Sequence, residues 1–108
     1  MKIDCLYFDG CPSWEHGLAN LQAALAAEKI NPEVHLIMIE DEEEATREKF
    51  LGSPSFRLNG QDLWPEERRR YTMNCRVYAT DKGLQGYPTS EMFRGKIKAF
   101  LNNFPGPA

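Results

Sequence analysis

The N-terminal third of the chain constrains the fold most, because it reads as strand, turn, helix and strand in close succession. Residues 3–8 are a short apolar and aromatic run, typical of a strand, which Asp9-Gly10 interrupts. Apolar residues then recur at helical spacing over about 13–28, and Asn31-Pro32 ends that helix. Residues 34–39 are almost continuously apolar, which indicates a strand covered on both faces. A right-handed crossover would make these two strands parallel.

Two further elements follow in the middle of the chain. Asp41 is placed as a helix N-cap with Glu44 three residues later, a spacing typical of a capping box. This pattern predicts a short helix that stops at Leu51-Gly52. Residues 55–59 alternate in polarity and end at Gly60, which predicts a third strand.

The C-terminal part begins with a long polar stretch. Residues 61–74 are predicted to form a loop, and a structureless connection of this length is typical of functional or mobile segments. Residues 76–80 are predicted to be the fourth strand, antiparallel to the third. A last helix opens at Pro88-Thr89-Ser90, and its predicted inward-facing residues are Phe93, Ile97, Phe100 and Leu101. The tail over 104–108 is expected to fray.

These elements predict a single α/β domain over residues 1–108, in the order β-α-β-α-β-β-α. The expected architecture is a four-stranded mixed sheet with helices on both faces. The chain shows no internal repeat and no linker.

Composition narrows the classes of function. No apolar run approaches the roughly 20 residues that cross a bilayer, and the N-terminus lacks a signal-peptide core, so we expect a cytoplasmic protein that binds no membrane. A net charge of −3 argues against nucleic acid as the main partner. The three cysteines do not resemble a secreted disulfide framework, and we expect them to rest as thiols. No metal site and no cofactor is expected, because zinc-ligand spacing and glycine-rich phosphate loops are missing.

Cys11 is the candidate reactive group, since it lies where the first strand turns into the first helix. The N-terminus of a helix favours a thiolate, whereas an ionised Asp9 nearby would oppose it. Cys11 is therefore either a reactive thiol or a small inert residue at a tight corner.

The other two cysteines are interpreted from their strands. Cys5 lies in the middle of the first strand and is interpreted as a packing residue. Cys75 begins the predicted fourth strand, which would place it near the pole opposite Cys11. A Cys11–Cys75 disulfide, or a soft-metal site between these thiols, is then not expected unless the 61–74 loop rearranges. Cys75 remains a possible second thiol.

Three motifs resemble those of thioredoxin-like proteins. Cys11-Pro12 resembles the start of the glutaredoxin Cys-Pro-x-Cys motif, although Trp14 stands where the second cysteine would be. Residues 52–60, GSPSFRLNG, resemble the segment that in glutaredoxin-like proteins carries a cis proline facing the active cysteine. Together with Cys-Arg-Val-Tyr at 75–78, these motifs resemble a group of small bacterial thioredoxin-like proteins of unassigned function.

The resemblance implies a thioredoxin-like fold and a set of site residues. Cys11 would be the catalytic thiol and the Ser53–Pro54 bond would be cis. The substrate-binding residues it implies are Pro12, Trp14, Ser53, Pro54, Thr89 and Ser90. For Thr89 and Ser90, helix capping is an equally simple explanation.

Two hypotheses of function follow. The first is a monothiol redox protein in which Cys11 acts on a disulfide or an oxidised thiol of a protein or of a small thiol compound. An outside thiol would then have to release the product, because Trp14 cannot resolve the intermediate. The alternative is a non-enzymatic binding module, in which the backbone edge beside Pro54 stays open and pairs with an extended peptide.

Overall fold

The structure, a computed structural model, describes residues 1–103. The predicted fraying of residues 104–108 lies outside the described residues. The elements, in chain order, are β1 (Lys2–Tyr7), α1 (Trp14–Ala27), β2 (Glu33–Met38), α2 (Glu42–Arg47), β3 (Ser55–Leu58), β4 (Gln61–Asp62), β5 (Tyr78–Thr80), β6 (Gly83–Gln85) and α3 (Ser90–Asn103). Among residues 1–103, no helix has both the length and the apolar character needed to cross a membrane.

The main sheet has four strands in the order β2-β1-β3-β4. β1 and β2 are parallel, as the crossover rule predicts, and pair from Lys2 with Glu33 to Tyr7 with Met38. β3 is antiparallel to β1, with Leu6 opposite Ser55. This register places the end of β1 beside the start of β3. The prediction of an α/β protein with a four-stranded mixed sheet is confirmed.

The identity of the fourth strand was predicted wrongly. β3 turns directly into β4 through Asn59 and Gly60, whose φ angles are 50° and 87°. Positive φ at both central residues is the geometry of a two-residue hairpin turn, for which Asn-Gly is the preferred sequence. Part of the predicted 61–74 loop is therefore the antiparallel partner of β3. β5, in the segment predicted to be that partner, instead pairs with β6 in a separate hairpin.

Helices cover both faces of the sheet, as predicted. One face packs against α1 and α3 in a buried cluster of Ile3, Cys5, Leu21, Ala24, Leu25, Phe56, Leu58, Leu63, Phe93 and Ile97. The other face packs against α2 in a smaller cluster of Leu6, Ile39, Ala45 and Phe50. The two clusters alternate along β1, because successive strand residues point to opposite faces.

Two predictions of burial are wrong. β2 is an edge strand, and Leu36 and Met38 are 49% and 41% exposed. Its apolar run therefore does not mark a strand covered on both faces. In α3, Phe93 and Ile97 are buried and Phe100 is partly buried, but Leu101 is 39% exposed.

α2 begins as predicted and ends earlier. The Asp41 carboxylate accepts a hydrogen bond from the Glu44 amide at 2.8 Å, and the Glu44 carboxylate accepts one from the Glu40 amide at 3.0 Å. The helix ends at Arg47 rather than at residue 51, because Lys49 takes a left-handed conformation with φ of 53°.

Candidate functional site

Cys11 lies in the turn that follows β1. Its amide donates a hydrogen bond to the Phe8 carbonyl oxygen at 3.2 Å, and its side chain is buried, with 6% of the residue exposed. α1 begins at Trp14 with Ser13 as its N-cap, so Cys11 precedes the helix instead of forming part of its first turn. Cys11 therefore lies outside the first helical turn, where the effect of the helix dipole is concentrated.

Ser53 is the residue that meets Cys11. The Cys11 thiol donates a hydrogen bond to the Ser53 carbonyl oxygen, with the sulfur 3.7 Å from the oxygen. The Ser53 hydroxyl accepts a hydrogen bond from the Phe8 amide at 3.4 Å. The Ser53–Pro54 bond is cis, as expected, and Pro54 is fully buried. Cys11, Ser53 and Pro54 thus come together at one end of the sheet.

Cys75 lies at this same end of the sheet, so its predicted position at the opposite pole is wrong. Residues 74–76, here called the Cys75 segment, run parallel to the residues just before β3, with Cys75 bridged to Ser53. The Ser53 amide donates to the Asn74 carbonyl, and the Arg76 amide donates to the Ser53 carbonyl, both at 2.9 Å. The prediction fails because β4, not the 76–80 segment, pairs with Arg57 and Leu58 of β3, and the chain then returns beside Ser53.

The Ser53 carbonyl oxygen is a shared acceptor. It accepts hydrogen bonds from the Cys11 thiol at 3.7 Å and from the Arg76 amide at 2.9 Å. The Cys11 sulfur and the backbone of the Cys75 segment therefore contact the same oxygen atom. The backbone edge that the sequence predicts to be open is occupied, since both the amide and the carbonyl of Ser53 are paired within the chain. An incoming peptide could pair there only by displacing the Cys75 segment.

Arg76 anchors the Cys75 segment to the sheet. Its guanidinium, 3% exposed, donates to both carboxylate oxygens of Asp62 at 2.9 and 3.2 Å and to the Ser55 hydroxyl at 3.1 Å. It also donates to the Trp64 carbonyl oxygen and lies 4.9 Å from the centre of the Tyr78 ring. These contacts satisfy a charge whose burial would otherwise be costly. Arg76 lies in the segment predicted to be the fourth strand, and the residue pattern contains no signal of its burial.

Gly52 and Tyr78 complete the attachment of the Cys75 segment. Gly52 has φ of +115°, and a Cβ placed there would lie 2.9 Å from Arg76 Cβ and 3.1 Å from the Asn74 carbonyl oxygen. Only glycine permits both this conformation and this close approach. The Tyr78 hydroxyl donates to the Pro54 carbonyl oxygen at 2.6 Å, and burial raises the pKa of Tyr78, which keeps this donor protonated.

Trp14 packs where a second active-site cysteine would stand in a Cys-x-x-Cys motif. Its ring stacks on Tyr7, with centroids 4.1 Å apart, and it contacts the main core cluster. His16, on the next part of α1, stacks on Tyr87 at 5.3 Å. Pro12 is exposed beside Cys11. Trp14 thus joins the turn to the core, while Pro12 stays exposed to solvent beside the thiol.

Thr89 and Ser90 begin α3. The Thr89 hydroxyl accepts a hydrogen bond from the Met92 amide at 3.1 Å, as the capping explanation requires, and Ser90 is the first helical residue. The preceding segment does approach the Cys11 turn, since a Cβ at Gly86 would collide with the Ser13 hydroxyl. Thr89 itself lines a shallow cleft with Thr80 and Lys82, on the side of the β5–β6 hairpin.

Cys5 is kept from reacting by its burial. Cys5 is fully buried in the main core, and burial, reinforced by the nearby Cys11, raises its pKa to about 12. Its interpretation as a packing residue is confirmed. Cys75, by contrast, is exposed. Within residues 1–103, no group of three or more histidine, cysteine or acidic side chains could hold a metal ion.

Comparison with known proteins adds no relative: no protein-family model, curated protein or solved structure matches this chain. The function must therefore be inferred from the geometry around Cys11 and Ser53.

Proposed function

We propose that this protein is a thiol–disulfide redox protein with a thioredoxin-like fold, in which the Cys11 sulfur exchanges with a disulfide or an oxidised thiol. The observation that carries the proposal is the 3.7 Å contact between the Cys11 sulfur and the Ser53 carbonyl oxygen. It sets a cysteine, in the turn between the first strand and the first helix, against a Ser53–Pro54 turn that leads into an adjacent strand. That arrangement matches the thioredoxin-like resemblance of the motifs.

The reaction is an ordinary thiol–disulfide exchange. The Cys11 thiolate attacks one sulfur of the substrate, a bond forms between these two sulfurs, and the substrate's second sulfur leaves as a thiolate. The substrate class is a disulfide of a protein or of a small thiol compound. Ser53 and Pro54 would border the reacting sulfur, together with the exposed Pro12. Thr89 and Ser90 would contribute only to a substrate that extends along the start of α3.

The Ser53 carbonyl oxygen keeps a hydrogen-bond donor throughout this reaction. A thiol can donate to it only while protonated, and loss of that proton leaves the oxygen with its second donor, the Arg76 amide. Deprotonation of Cys11 therefore leaves no unsatisfied carbonyl behind. The alternative of a peptide-binding module has lost its main support, because the edge it would use is already paired. A cytoplasmic setting suits the proposal, since thiols stay reduced there.

Two variants with one thiol each test the proposal. Cys5→Ser with Cys75→Ser leaves only Cys11, and Cys11→Ser with Cys75→Ser leaves only Cys5. Each folded variant is mixed with an aromatic disulfide, release of aryl thiolate is followed by absorbance, and the product is weighed by mass spectrometry. The Cys11 variant should form a mixed disulfide under native conditions, while the Cys5 variant should stay unmodified because its thiol is buried and its pKa is about 12.

The opposite result is equally clear. If the Cys11 variant forms the adduct only after denaturation, as the Cys5 variant should, then Cys11 is a packing residue and the redox proposal is wrong.

A further inference from the structure

We infer that Cys75 is the second redox thiol of this protein, and that it resolves the mixed disulfide on Cys11 by closing an internal Cys11–Cys75 disulfide. The inference rests on the proposed function and changes its class, from a monothiol protein that needs an outside thiol to a dithiol protein. The resolving cysteine then comes from a distant segment instead of the Cys-x-x-Cys position, which Trp14 occupies.

The first support is that both cysteines adjoin one residue. Cys75 is the bridge partner of Ser53, and neighbouring strands lie about 4.8 Å apart. The Cys11 sulfur is hydrogen-bonded to the carbonyl oxygen of that same Ser53. A disulfide requires Cα atoms within roughly 4.4–6.8 Å of each other, so the two segments that meet at Ser53 must come within that range for the bond to close.

The second support is that Cys75 is exposed, as a thiol that attacks a mixed disulfide must be. Cys75 is exposed, so its side chain is free to rotate toward a newly formed disulfide without leaving the core. Cys5, the only other thiol, is fully buried in β1 and already fills a place in the core. Cys75 is therefore the thiol that can reach the Cys11 sulfur at little cost in packing.

The third support is that the Cys75 segment is held by contacts that involve no cysteine. The buried guanidinium of Arg76 ties it to Asp62 and Ser55, and Gly52 leaves room for its backbone where any Cβ would collide. Two backbone hydrogen bonds to Ser53 set its register. Holding a reactive group close to its target raises its effective concentration, and this segment does so for Cys75.

The exchange proceeds in two steps. Cys11 first takes one sulfur of the substrate disulfide and releases the other half as a thiolate. The Cys75 thiolate then attacks the Cys11 sulfur, the Cys11–Cys75 bond forms, and the second half of the substrate leaves as a thiolate. The protein dithiol has lost two electrons and two protons, and the substrate disulfide has gained them. A small thiol compound or a reduced protein dithiol must return the protein to its starting state.

The test uses an aromatic disulfide as the probe and three full-length variants. Cys5→Ser keeps both site thiols. Adding Cys75→Ser removes the proposed resolving thiol, and adding Val77→Cys to that second variant moves a thiol two residues along the same chain, to a position that is 64% exposed. Aryl thiolate release is measured by absorbance, and each product is identified by mass spectrometry after proteolysis without reductant.

The first variant should release two equivalents of aryl thiolate and end with a mass lower by two hydrogen atoms and a Cys11–Cys75 peptide link. The second should stop at one equivalent, with the aryl adduct on Cys11. The third should carry a separate adduct on each thiol, because residue 77 lies beyond the Ser53 bridge. The second variant is also given a free thiol compound at the same micromolar concentration as the protein. The Cys11 adduct should decay on the order of 100-fold faster in the first variant than in this mixture, since tethered groups reach effective concentrations in the mM range.

Two results would overturn the inference, and they can be told apart. If the first variant ends with separate adducts on Cys11 and Cys75, or if moving the thiol to residue 77 gives an equally fast internal disulfide, then Cys75 is not a placed resolving thiol, while exchange at Cys11 still stands. If the second variant forms no adduct at all, exchange at Cys11 fails and the inference fails with it.

Discussion

Two arginine–carboxylate pairs join distant parts of this chain, and they work in different surroundings. Arg76 meets Asp62 inside the protein, with side chains 3% and 11% exposed. Arg94 meets Glu28 between α3 and α1, with side chains 33% and 13% exposed, and Lys98 adds a second cation at 3.6 Å. Both arginine contacts are 2.9 Å long. Distance alone does not separate them.

What separates the two pairs is the packing around them. α1 and α3 also share an apolar layer, to which each helix contributes buried residues such as Leu21 and Ile97. Glu28–Arg94 therefore supplements a contact that exists without it. In the Cys75 segment Asn74 and Cys75 are exposed and only Arg76 is buried. The buried pair is consequently the main side-chain anchor of this segment, whereas the pair between the helices only strengthens their contact.

The largest expected effect is the loss of the buried pair. Asp62→Asn should lower the free energy of unfolding by about 3 kcal/mol, because it leaves the Arg76 charge buried without its counterion. Glu66→Gln is the matched control: this carboxylate lies 4.0 Å from Arg76 but is 46% exposed, so its loss should cost less than about 1 kcal/mol. Urea unfolding measures both. Amide exchange should also show faster opening of the Arg76 amide in Asp62→Asn, and equal losses in the two variants would contradict the contrast.

A smaller effect isolates the close approach of the Cys75 segment. Gly52 and Gly60 both have positive φ, 115° and 87°, but only a Cβ at Gly52 would meet the Cys75 segment, since nothing lies within 4 Å of one at Gly60. Gly60→Ala should cost about 1 kcal/mol through backbone conformation alone. Gly52→Ala should cost about 2 kcal/mol, because steric collision adds to the same strain.

The alkylation rate of Cys75 is the second readout for this pair of glycines. It should rise in Gly52→Ala, where the segment is pushed off Ser53, and stay unchanged in Gly60→Ala. Indistinguishable unfolding energies and alkylation rates for the two variants would show that Gly52 is needed only for its backbone conformation.

The smallest effect belongs to the pair between the helices. A hydrogen bond from Arg94, with the nearby Lys98, lowers the pKa of Glu28. A lowered carboxylate pKa contributes stability above the pKa of the unfolded chain, and this contribution disappears as the pH falls through the folded value. Glu28→Gln should therefore reduce Tm slightly at pH 7 and flatten its decline in acid. Glu67→Gln, at an exposed position, is the control because it changes the net charge by the same amount. If the two variants show the same dependence of Tm on pH, the Glu28 pair has no role in stability.

Most elements could be predicted from the sequence because their signals are local. The helical stripe of α1, the Asp41 N-cap of α2 and the apolar run of β1 are each set by neighbours within a few residues, and the structure contains them all. The Asn59-Gly60 pair is an equally local hairpin signal, whereas the prediction uses Gly60 only as the end of a strand. That one turn shifted the partner of β3 from residues 76–80 to residues 61–62.

The candidate site divides in the same way. Cys11, Ser53 and Pro54 could be predicted because each belongs to a motif at the end of a strand, and antiparallel pairing of β1 with β3 brings those ends together. The place of Cys75 depends on which edge the chain meets after β4, and that is set by a buried charge whose partners are 12 to 21 residues away. Periodicity and turn signals carry no information about such a contact. Local sequence signals therefore account for the helices, most of the strands and the position of Cys11, whereas the position of Cys75 depends on the buried Arg76, whose charge only the folded chain can satisfy.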